Sequence, residues 1–186
     1  MIVSARKYAG TINIPASKSD SQRAILCAGL AQGISTIVDA GKSADELAMI
    51  HNIVSLGAEV SVTDRSLTIL GTSKTPSELS LNLGESGLGA RLLTSLFLVQ
   101  KGKYKLNGEG SLMNRPFRFF KDNFENKVPF ISDNYGCLPM EIHGGFSGGE
   151  INVSGKQSSQ YISGLLMALP LAQNDSDLYV AELNSK

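Results

Sequence analysis

"IPASKSDSQRAILCAGLAQG", at residues 14–33, contains the pattern that recurs along this chain. Polar residues, among them Lys18 and Arg23, lead into an apolar run, so a helix is predicted over residues 19–31. The pattern returns at intervals of about 70 residues, which is typical of a repeated supersecondary unit. Its three versions are "SQRAILCAGLAQG" at 21–33, "GARLLTSLFLVQKG" at 89–102 and "SQYISGLLMALPLAQ" at 159–173.

The first copy of the unit predicts a helix, a strand over 35–40, a second helix over 43–57 and a hairpin that turns at Asp64-Arg65. Three residues can cap the first helix: Ser19, Asp20 and Ser21. Gly33 and Gly57 are expected to end the two helices. A capping box of Ser43 and Glu46 opens the second. Its apolar stripe is expected to consist of three residues: Leu47, Ile50 and Val54.

The later copies are less complete. The second adds a weaker helix over 115–126, with Pro116 near its first position, and strands in "PFISD" and "MEIHG". The third ends before a second helix or closing strands, so the chain is expected to be cut short. The copies are predicted at about 15–75, 76–148 and 149–186. The fold class is a mixed α+β fold of repeated units, each expected to run helix, strand, helix, strand, strand.

Composition limits the function classes. Apolar residues make up 42% and charged residues 18% of the 186, as in globular domains. The 17 basic and 17 acidic side chains cancel, which argues against a general nucleic-acid partner. No apolar run approaches the roughly 18 residues that span a membrane. The first ten residues are too short and polar for a signal peptide, so a cytoplasmic location is expected.

The cysteines and histidines predict neither a disulfide nor a metal site. Cys27 and Cys137 lie far apart, and Cys27 is expected to be a small core residue. His51 and His143 have no partner at the spacing of metal ligands, so both are interpreted as structural. No metal and no organic cofactor are predicted.

Three predicted helix starts carry small polar residues, namely Lys18-Ser19, Ser86-Gly87 and Ser158-Ser159. Free N–H groups and the helix dipole favour anions at such ends. Arg23 and Arg115 add fixed cations that suit phosphates and carboxylates. The same residues also fit simple helix caps and solvated charges, and both interpretations stay open on this pattern alone. No P-loop or GxGxxG pattern supports nucleotide binding.

Six sequence landmarks follow one another along the chain. The first is "IPASKSDSQRAILCAGLAQG" itself, and the others are "GESGLGARLL" at 84–93, "LMNRPF" at 112–117, "CLPMEIHGG" at 137–145, "GKQSSQYISGLLMALPLA" at 155–172 and "ELNSK" at the end. With these landmarks the chain resembles the family of 5-enolpyruvylshikimate-3-phosphate synthases. The resemblance implies one lobe of a two-lobed enolpyruvyl transferase fold built from repeated βαβαββ units. It covers the first two-fifths or so of a family member, so an opening strand over residues 1–14 would belong mainly to the absent second lobe.

The resemblance also implies site residues. Lys18 is the implied catalytic residue and contacts both substrates. The implied ligands of shikimate 3-phosphate are Lys18, Ser19, Arg23, Ser158, Ser159, Gln160 and Ser185. The implied ligands of phosphoenolpyruvate are Lys18, Gly87, Arg115 and Gln160. One departure is that the family usually has "GNAGTAMR" where this chain has "GESGLGAR", so Glu85 replaces an asparagine and Leu88 a threonine.

The implied reaction is carboxyvinyl transfer from phosphoenolpyruvate to the 5-hydroxyl of shikimate 3-phosphate, in an enzyme expected to be a monomer. Acid–base carboxylates are expected from the missing C-terminal lobe, so this chain alone is expected to be inactive. One alternative is the sister enzyme that acts on UDP-N-acetylglucosamine. Another is a noncatalytic anion-binding module. An open reading frame that continues past Lys186 would favour an enzyme, and a stop codon there would favour the module. A preference for a nucleotide sugar in a binding assay would favour the sister enzyme.

Overall fold

The structure is a computed structural model, and it describes residues 7, 9–132, 134 and 136–183. The first group of elements is α1 (Lys18–Leu30), β1 (Gly33–Val38), α2 (Ala44–Ser55), β2 (Glu59–Val62) and β3 (Ser66–Gly71). The second is β4 (Glu78–Asn82), α3 (Gly87–Val99), β5 (Gly102–Asn107), a 3-10 helix (Gly110–Asn114), α4 (Arg118–Phe124), β6 (Phe130–Ile131) and β7 (Met140–Gly144). The third is β8 (Gly149–Ser154), α5 (Ser159–Ala168), a 3-10 turn (Leu169–Leu171) and β9 (Ser176–Ala181).

The strand pairing repeats from group to group. In the first sheet β3 pairs antiparallel with both β1 and β2, and in the second β7 pairs antiparallel with both β5 and β6. A parallel pair, β4 with β5, begins the second group, and β8 with β9 repeats it in the third. The α+β fold class predicted from the repeat is therefore confirmed. The exact limits of the copies stay a prediction.

Helix α3 is the centre of the molecule. Every residue of α3 except Arg91 is buried, and the helix packs against α5, α1 and β7. A Cβ at Gly164 of α5 would overlap the Ser95 hydroxyl of α3, so glycine allows these two helices to approach closely. Each fully buried leucine or phenylalanine in this core stabilises the fold by about 1.5–3 kcal/mol.

Helix α4 is joined to α5 through aromatic rings. The rings of Phe119 and Tyr161 stack with centroids 4.2 Å apart, and Phe120 meets Tyr161 edge-on at 5.2 Å. Pairs of this kind contribute about 0.5–1.5 kcal/mol beyond the area they bury. The cluster fixes the start of α5, which carries Gln160, relative to the second group of elements.

Several local predictions are confirmed, and others are wrong. The capping box is present, with the Ser43 N–H donating to Glu46 Oε2 at 2.9 Å. The cap of α1 is Ser17 and not one of the three predicted residues, because the helix begins one residue earlier, at Lys18. Pro116 lies outside α4, whose N-cap is Phe117.

Two predictions about burial are also wrong. Cys27 is exposed, because it lies on the solvent side of α1 while Leu26 and Ala28 face the core. In α2 the buried apolar residues are Met49, Ile50 and Ile53, and of the predicted stripe only Ile50 is among them. Leu47 and Val54 are nearly half exposed, since the buried Glu46 and Asn52 rotate the inward face of the helix.

Residues 9–17 form neither helix nor strand and are exposed, including Ile12 and Ile14 at 81% and 82%. The opening strand expected over 1–14 is therefore absent from the described part of that range, and its assignment to a second lobe stays a prediction. Within the described residues, none of the helices has the length and apolar character required to cross a membrane.

Candidate functional site

The first turns of α1, α3 and α5 are linked by side chains. Ser86, the N-cap of α3, donates its hydroxyl to Gln22 Oε1 of α1 at 2.6 Å. Arg91 of α3 donates from Nη1 to Gln160 Oε1 of α5 at 2.8 Å. The three helix starts that the sequence predicts as anion sites are therefore linked to one another by side-chain hydrogen bonds.

Each of these starts is capped by a serine, which leaves further N–H groups free. Ser17 accepts from the Asp20 N–H at 3.4 Å, Ser86 from the Gly89 N–H at 3.0 Å and Ser158 from the Gln160 N–H at 3.2 Å. Capping satisfies one of the four free donors at a helix start, and the remainder retain the partial positive charge that attracts anions.

At the start of α1, Lys18 forms an ion pair with Asp45 of α2. Lys18 Nζ lies 2.8 Å from Asp45 Oδ2, and the two side chains are 56% and 19% exposed. The hydrogen bond to Asp45, and then its negative charge, raise the pKa of the Lys18 ammonium above the ordinary 10.5. Lys18 is therefore a permanent cation with an accessible face.

Arg23 lies one turn further along α1 and is folded back on the helix. Its Nη1 donates to the Ser19 carbonyl at 3.2 Å and lies 3.5 Å from Asp20 Oδ1. Both contacts are local to α1, and the ion pair is open to water, with Arg23 35% and Asp20 80% exposed, so it contributes little, about 0–1 kcal/mol. An incoming phosphate can therefore draw the guanidinium away at small cost.

Behind Lys18, a buried carboxylate braces the loop between β1 and α2. Glu46 is 2% exposed, and its carboxylate lies where a Cβ at Gly41 would be. Burial acts to raise the pKa of the Glu46 carboxyl, but hydrogen bonds, chiefly from Ser43, outweigh burial and hold it below the ordinary 4.5. Glu46 is thus a structural anion that holds the loop next to the Lys18–Asp45 pair.

At the start of α3, two guanidinium groups converge on Gly87. A Cβ at Gly87 would lie 2.8 Å from Arg115 Nη1 and 3.1 Å from Arg91 Nη1. Glycine therefore leaves a small space between a helix start and two cations. A phosphate or carboxylate suits such a space by both charge and geometry.

Glu85, the departure from the family pattern, points toward the neighbouring 3-10 helix. Its Oε2 accepts from the Ser111 N–H at 3.1 Å, and Ser111 Oγ accepts from Arg115 Nη2 at 3.1 Å. The carboxylate thus caps the turn that carries Arg115. No ion pair joins Glu85 and Arg115 in the described structure.

The predicted site residues fall into two connected groups. Lys18, Ser19 and Arg23 lie at the start of α1. The others lie around the starts of α3 and α5: Gly87, Arg115, Ser158, Ser159 and Gln160. Ser185 lies outside the described residues.

Sequence reasoning missed Asp45 and Gln22, and it gave no role to Arg91. The repeat did align Gln22 with Gln160 and Arg23 with Arg91, and this alignment was the available signal. Within the described residues, no group of three His, Cys, Asp or Glu side chains can hold a metal ion.

Solved structures with the same fold come from enolpyruvyl transferases. EPSP synthase from Acinetobacter baumannii superposes with a TM-score of 0.81 at 25% identity, over 95% of this chain and 41% of that one. An enolpyruvyl transferase from Streptomyces tendae matches at a TM-score of 0.58 and 14% identity, over 90% of this chain and 39% of that one, which supports the fold alone. The fold is thus that of enolpyruvyl transferases.

Sequence comparison narrows the class to one family. The family model for EPSP synthase (3-phosphoshikimate 1-carboxyvinyltransferase) matches residues 3–186, and the chain belongs to this family. A 3-phosphoshikimate 1-carboxyvinyltransferase of Clostridium perfringens is 36% identical over all of this chain and 45% of its own length. One of Methanobrevibacter smithii is 37% identical over 92% of this chain and 40% of its own length. The chain therefore spans less than half of these relatives.

Proposed function

We propose that this chain is the N-terminal part of a 3-phosphoshikimate 1-carboxyvinyltransferase. Such an enzyme transfers the enolpyruvyl group of phosphoenolpyruvate to the 5-hydroxyl of shikimate 3-phosphate and releases phosphate. The observation that carries the proposal is the linked surface of three helix starts, with Lys18, Arg91 and Arg115 beside it. Two anionic substrates require this density of donors and cations.

The start of α5 and part of α1 form the proposed shikimate 3-phosphate side. Ser158, Ser159 and Ser185 would bind its phosphate, and Gln160 its ring oxygens. Ser19 and Arg23 would complete this side from α1. Arg23 suits the role because its planar fork binds oxygen pairs in a bidentate manner and its present contacts are weak.

The space at Gly87 forms the proposed phosphoenolpyruvate side. Arg115 would bind the phosphate, Gly87 would let the ligand approach the backbone, and Gln160 and Lys18 would contact both substrates. Two Arg Nη1 atoms within 3.1 Å of the Cβ position at Gly87 support this assignment.

In the proposed reaction, the 5-hydroxyl oxygen adds to C2 of phosphoenolpyruvate while C3 gains a proton. A base takes the proton of the 5-hydroxyl in this step. The tetrahedral intermediate then loses phosphate from C2 and a proton from C3, so the double bond forms again. Lys18 would stabilise the negative charge on the bridging oxygen as the phosphate leaves. The step also needs a general acid and base. The carboxylates described near the helix starts all have structural contacts: Asp45 is paired with Lys18 and Asp20 with Arg23, Glu85 accepts from the Ser111 N–H, and Glu46 is buried.

The acid–base carboxylates would therefore come from a C-terminal lobe like that of the longer relatives. That lobe is the partner that would complete the candidate site. On this proposal the 186-residue chain alone has no turnover. A polypeptide of the relatives' length that contains it should release phosphate only when both substrates are present. Such a polypeptide would be a monomer that requires no metal or organic cofactor.

The test is a phosphate-release assay on that longer polypeptide. The expected result is turnover with shikimate 3-phosphate and none with UDP-N-acetylglucosamine in its place. The opposite preference would assign the chain to the sister reaction. A gene that stops at Lys186, together with anion binding and no turnover, would favour the noncatalytic module.

A further inference from the structure

The repeated Ser-Gln pair places two glutamines against the same helix. Gln22 of α1 accepts from Ser86 at 2.6 Å through Oε1 and donates through Nε2 to the Lys18 carbonyl at 3.4 Å. Gln160 of α5 accepts from Arg91 at 2.8 Å through Oε1. Its Nε2 has no hydrogen-bond partner among the described residues. Gln22 thus uses both ends of its amide within the fold, whereas Gln160 keeps two donors unused.

Arg91 is held by a carbonyl and an aromatic ring, and no carboxylate of the described residues neutralises its charge. Its Nη1 also donates to the Gly87 carbonyl at 2.9 Å, and its guanidinium carbon lies 4.9 Å from the centre of the Tyr161 ring. The Tyr161 ring is itself stacked on Phe119. Within the described residues Arg91 forms no ion pair, and its buried Nε lacks a partner. The side chain is therefore positioned by an aromatic face and a carbonyl.

A guanidinium offers donors only, so it dictates which end of a neighbouring amide faces it. Turning the Gln160 amide over would bring its NH₂ group against Arg91 Nη1, donor against donor. Oε1 must therefore face α3, and Nε2 must face away from it. We propose that Arg91 is a positioning residue that fixes the Gln160 amide so that its NH₂ group donates to an oxygen of the bound anionic substrate. This inference rests on the proposed function for the identity of that substrate.

A double-mutant cycle tests whether Arg91 acts through Gln160. The variants are Arg91→Lys, Gln160→Ala and their combination, with shikimate 3-phosphate binding to the 186-residue chain measured by calorimetry. Lysine keeps the charge but cannot reach both Gly87 and Gln160. Arg91→Lys should weaken binding about tenfold, the scale of one charge-assisted hydrogen bond. When Gln160 is already alanine, Arg91→Lys should weaken shikimate 3-phosphate binding by less than about twofold.

Two further variants separate this role from folding. Gln160→Glu keeps an acceptor for Arg91 and removes the NH₂ donor. It should therefore leave Tm unchanged and still weaken shikimate 3-phosphate binding at least tenfold. Arg118→Lys, on the exposed side of α4, is the matched control and should change neither quantity. An equal cost of Arg91→Lys in both backgrounds would mean that Arg91 contacts the substrate directly, and this would overturn the proposal.

A measurement without substrate tests the contact independently of the proposed function. In ¹⁵N spectra of the free chain, the Gln160 side-chain amide, assigned by its loss in Gln160→Ala, should move in Arg91→Lys and stay in place in Arg118→Lys. An unchanged Gln160 amide signal in Arg91→Lys would overturn this inference and leave the proposed function untouched. Absence of shikimate 3-phosphate binding by the unaltered chain, with the spectral change present, would count against the proposed function instead.

Discussion

Lys18 Nζ lies 2.8 Å from Oδ2 of Asp45, so the first residue of α1 is joined to the first turn of α2. The pair holds the ammonium at the start of α1, beside the loop that Glu46 braces. Because more than half of the Lys18 side chain is exposed, an anionic substrate can approach the free side of the ammonium while Asp45 holds the other side.

Asp45→Asn should bring the pKa of the Lys18 ammonium down toward 10.5, since the neighbouring carboxylate is what raises it. Because the Lys18 side chain is 56% exposed and water screens the pair, the free energy of unfolding should change by less than about 1 kcal/mol. An NMR titration of the Lys18 side chain, with the exposed pair Asp39–Arg65 altered by Asp39→Asn as the control, checks the first statement. An unchanged Lys18 titration would contradict it.

Lys18 and Arg23 should differ in their effects on turnover in a polypeptide of the relatives' length. Arg23→Ala should mainly raise KM for shikimate 3-phosphate, because its contacts would be present before and during reaction. Lys18→Ala should lower kcat by on the order of 100-fold or more, the scale of a lost electrostatic stabiliser. Lys18→Arg should not restore kcat, because the wider guanidinium would crowd the two substrates.

Steady-state kinetics with both substrates varied decide this point. An intact kcat with raised KM in Lys18→Ala would reduce Lys18 to a binding residue. Arg65→Ala, which removes an exposed cation of the β2–β3 turn, is the control and should leave both constants unchanged.

Gly87→Ala should weaken phosphoenolpyruvate binding about tenfold or more and leave shikimate 3-phosphate binding within about twofold. The added methyl group would occupy the space between Arg115 and Arg91 that the proposal assigns to phosphoenolpyruvate. The fold should not suffer, since alanine is a better helix former than glycine and the crowding atoms are the movable ends of arginines. Parallel binding and thermal unfolding experiments check this, and equal losses for both ligands would contradict the assignment.

Glu46→Gln should destabilise the chain at pH 7 by about 1–2 kcal/mol, because a buried, charge-assisted hydrogen bond loses its charge. The folded pKa of Glu46 lies below the ordinary 4.5, so its carboxylate stabilises the fold above that pH. This stabilisation is lost as the pH falls through the folded pKa. In urea unfolding experiments, the free energies of unfolding of the unaltered chain and of Glu46→Gln should therefore become equal at acidic pH. Glu59→Gln, at an exposed strand position, is the control, and a constant difference at all pH values would refute the prediction.

Most of the fold could be predicted from the sequence because the repeat indicates the order of helices and strands in each unit. The aligned segments that begin at residues 21, 89 and 159 predicted a repeated unit of helices and strands, and the strand pairing of the sheets does repeat along the chain. Burial within a helix was harder to predict. In α2 the buried Glu46 and Asn52 are polar, so the apolar pattern alone assigned Leu47 and Val54 to the wrong face.

The site was partly predictable for a similar reason. Motifs identified the residues at the helix starts, since they are contiguous in sequence with their caps. Contacts between elements carry no such local signal. Lys18–Asp45, Gln22–Ser86 and Arg91–Gln160 join residues 27, 64 and 69 positions apart, and only the packing of α1, α2, α3 and α5 brings them together.

Calorimetric titration of the purified 186-residue chain with shikimate 3-phosphate and with phosphoenolpyruvate tests whether its helix starts bind the proposed substrates. We expect tighter binding of shikimate 3-phosphate, because six residues besides Lys18 are proposed to bind that ligand: Ser19, Arg23, Ser158, Ser159, Gln160 and Ser185. Only three besides Lys18 are proposed to bind phosphoenolpyruvate: Gly87, Arg115 and Gln160. Tighter binding of phosphoenolpyruvate, or binding of neither ligand, would refute the proposed function.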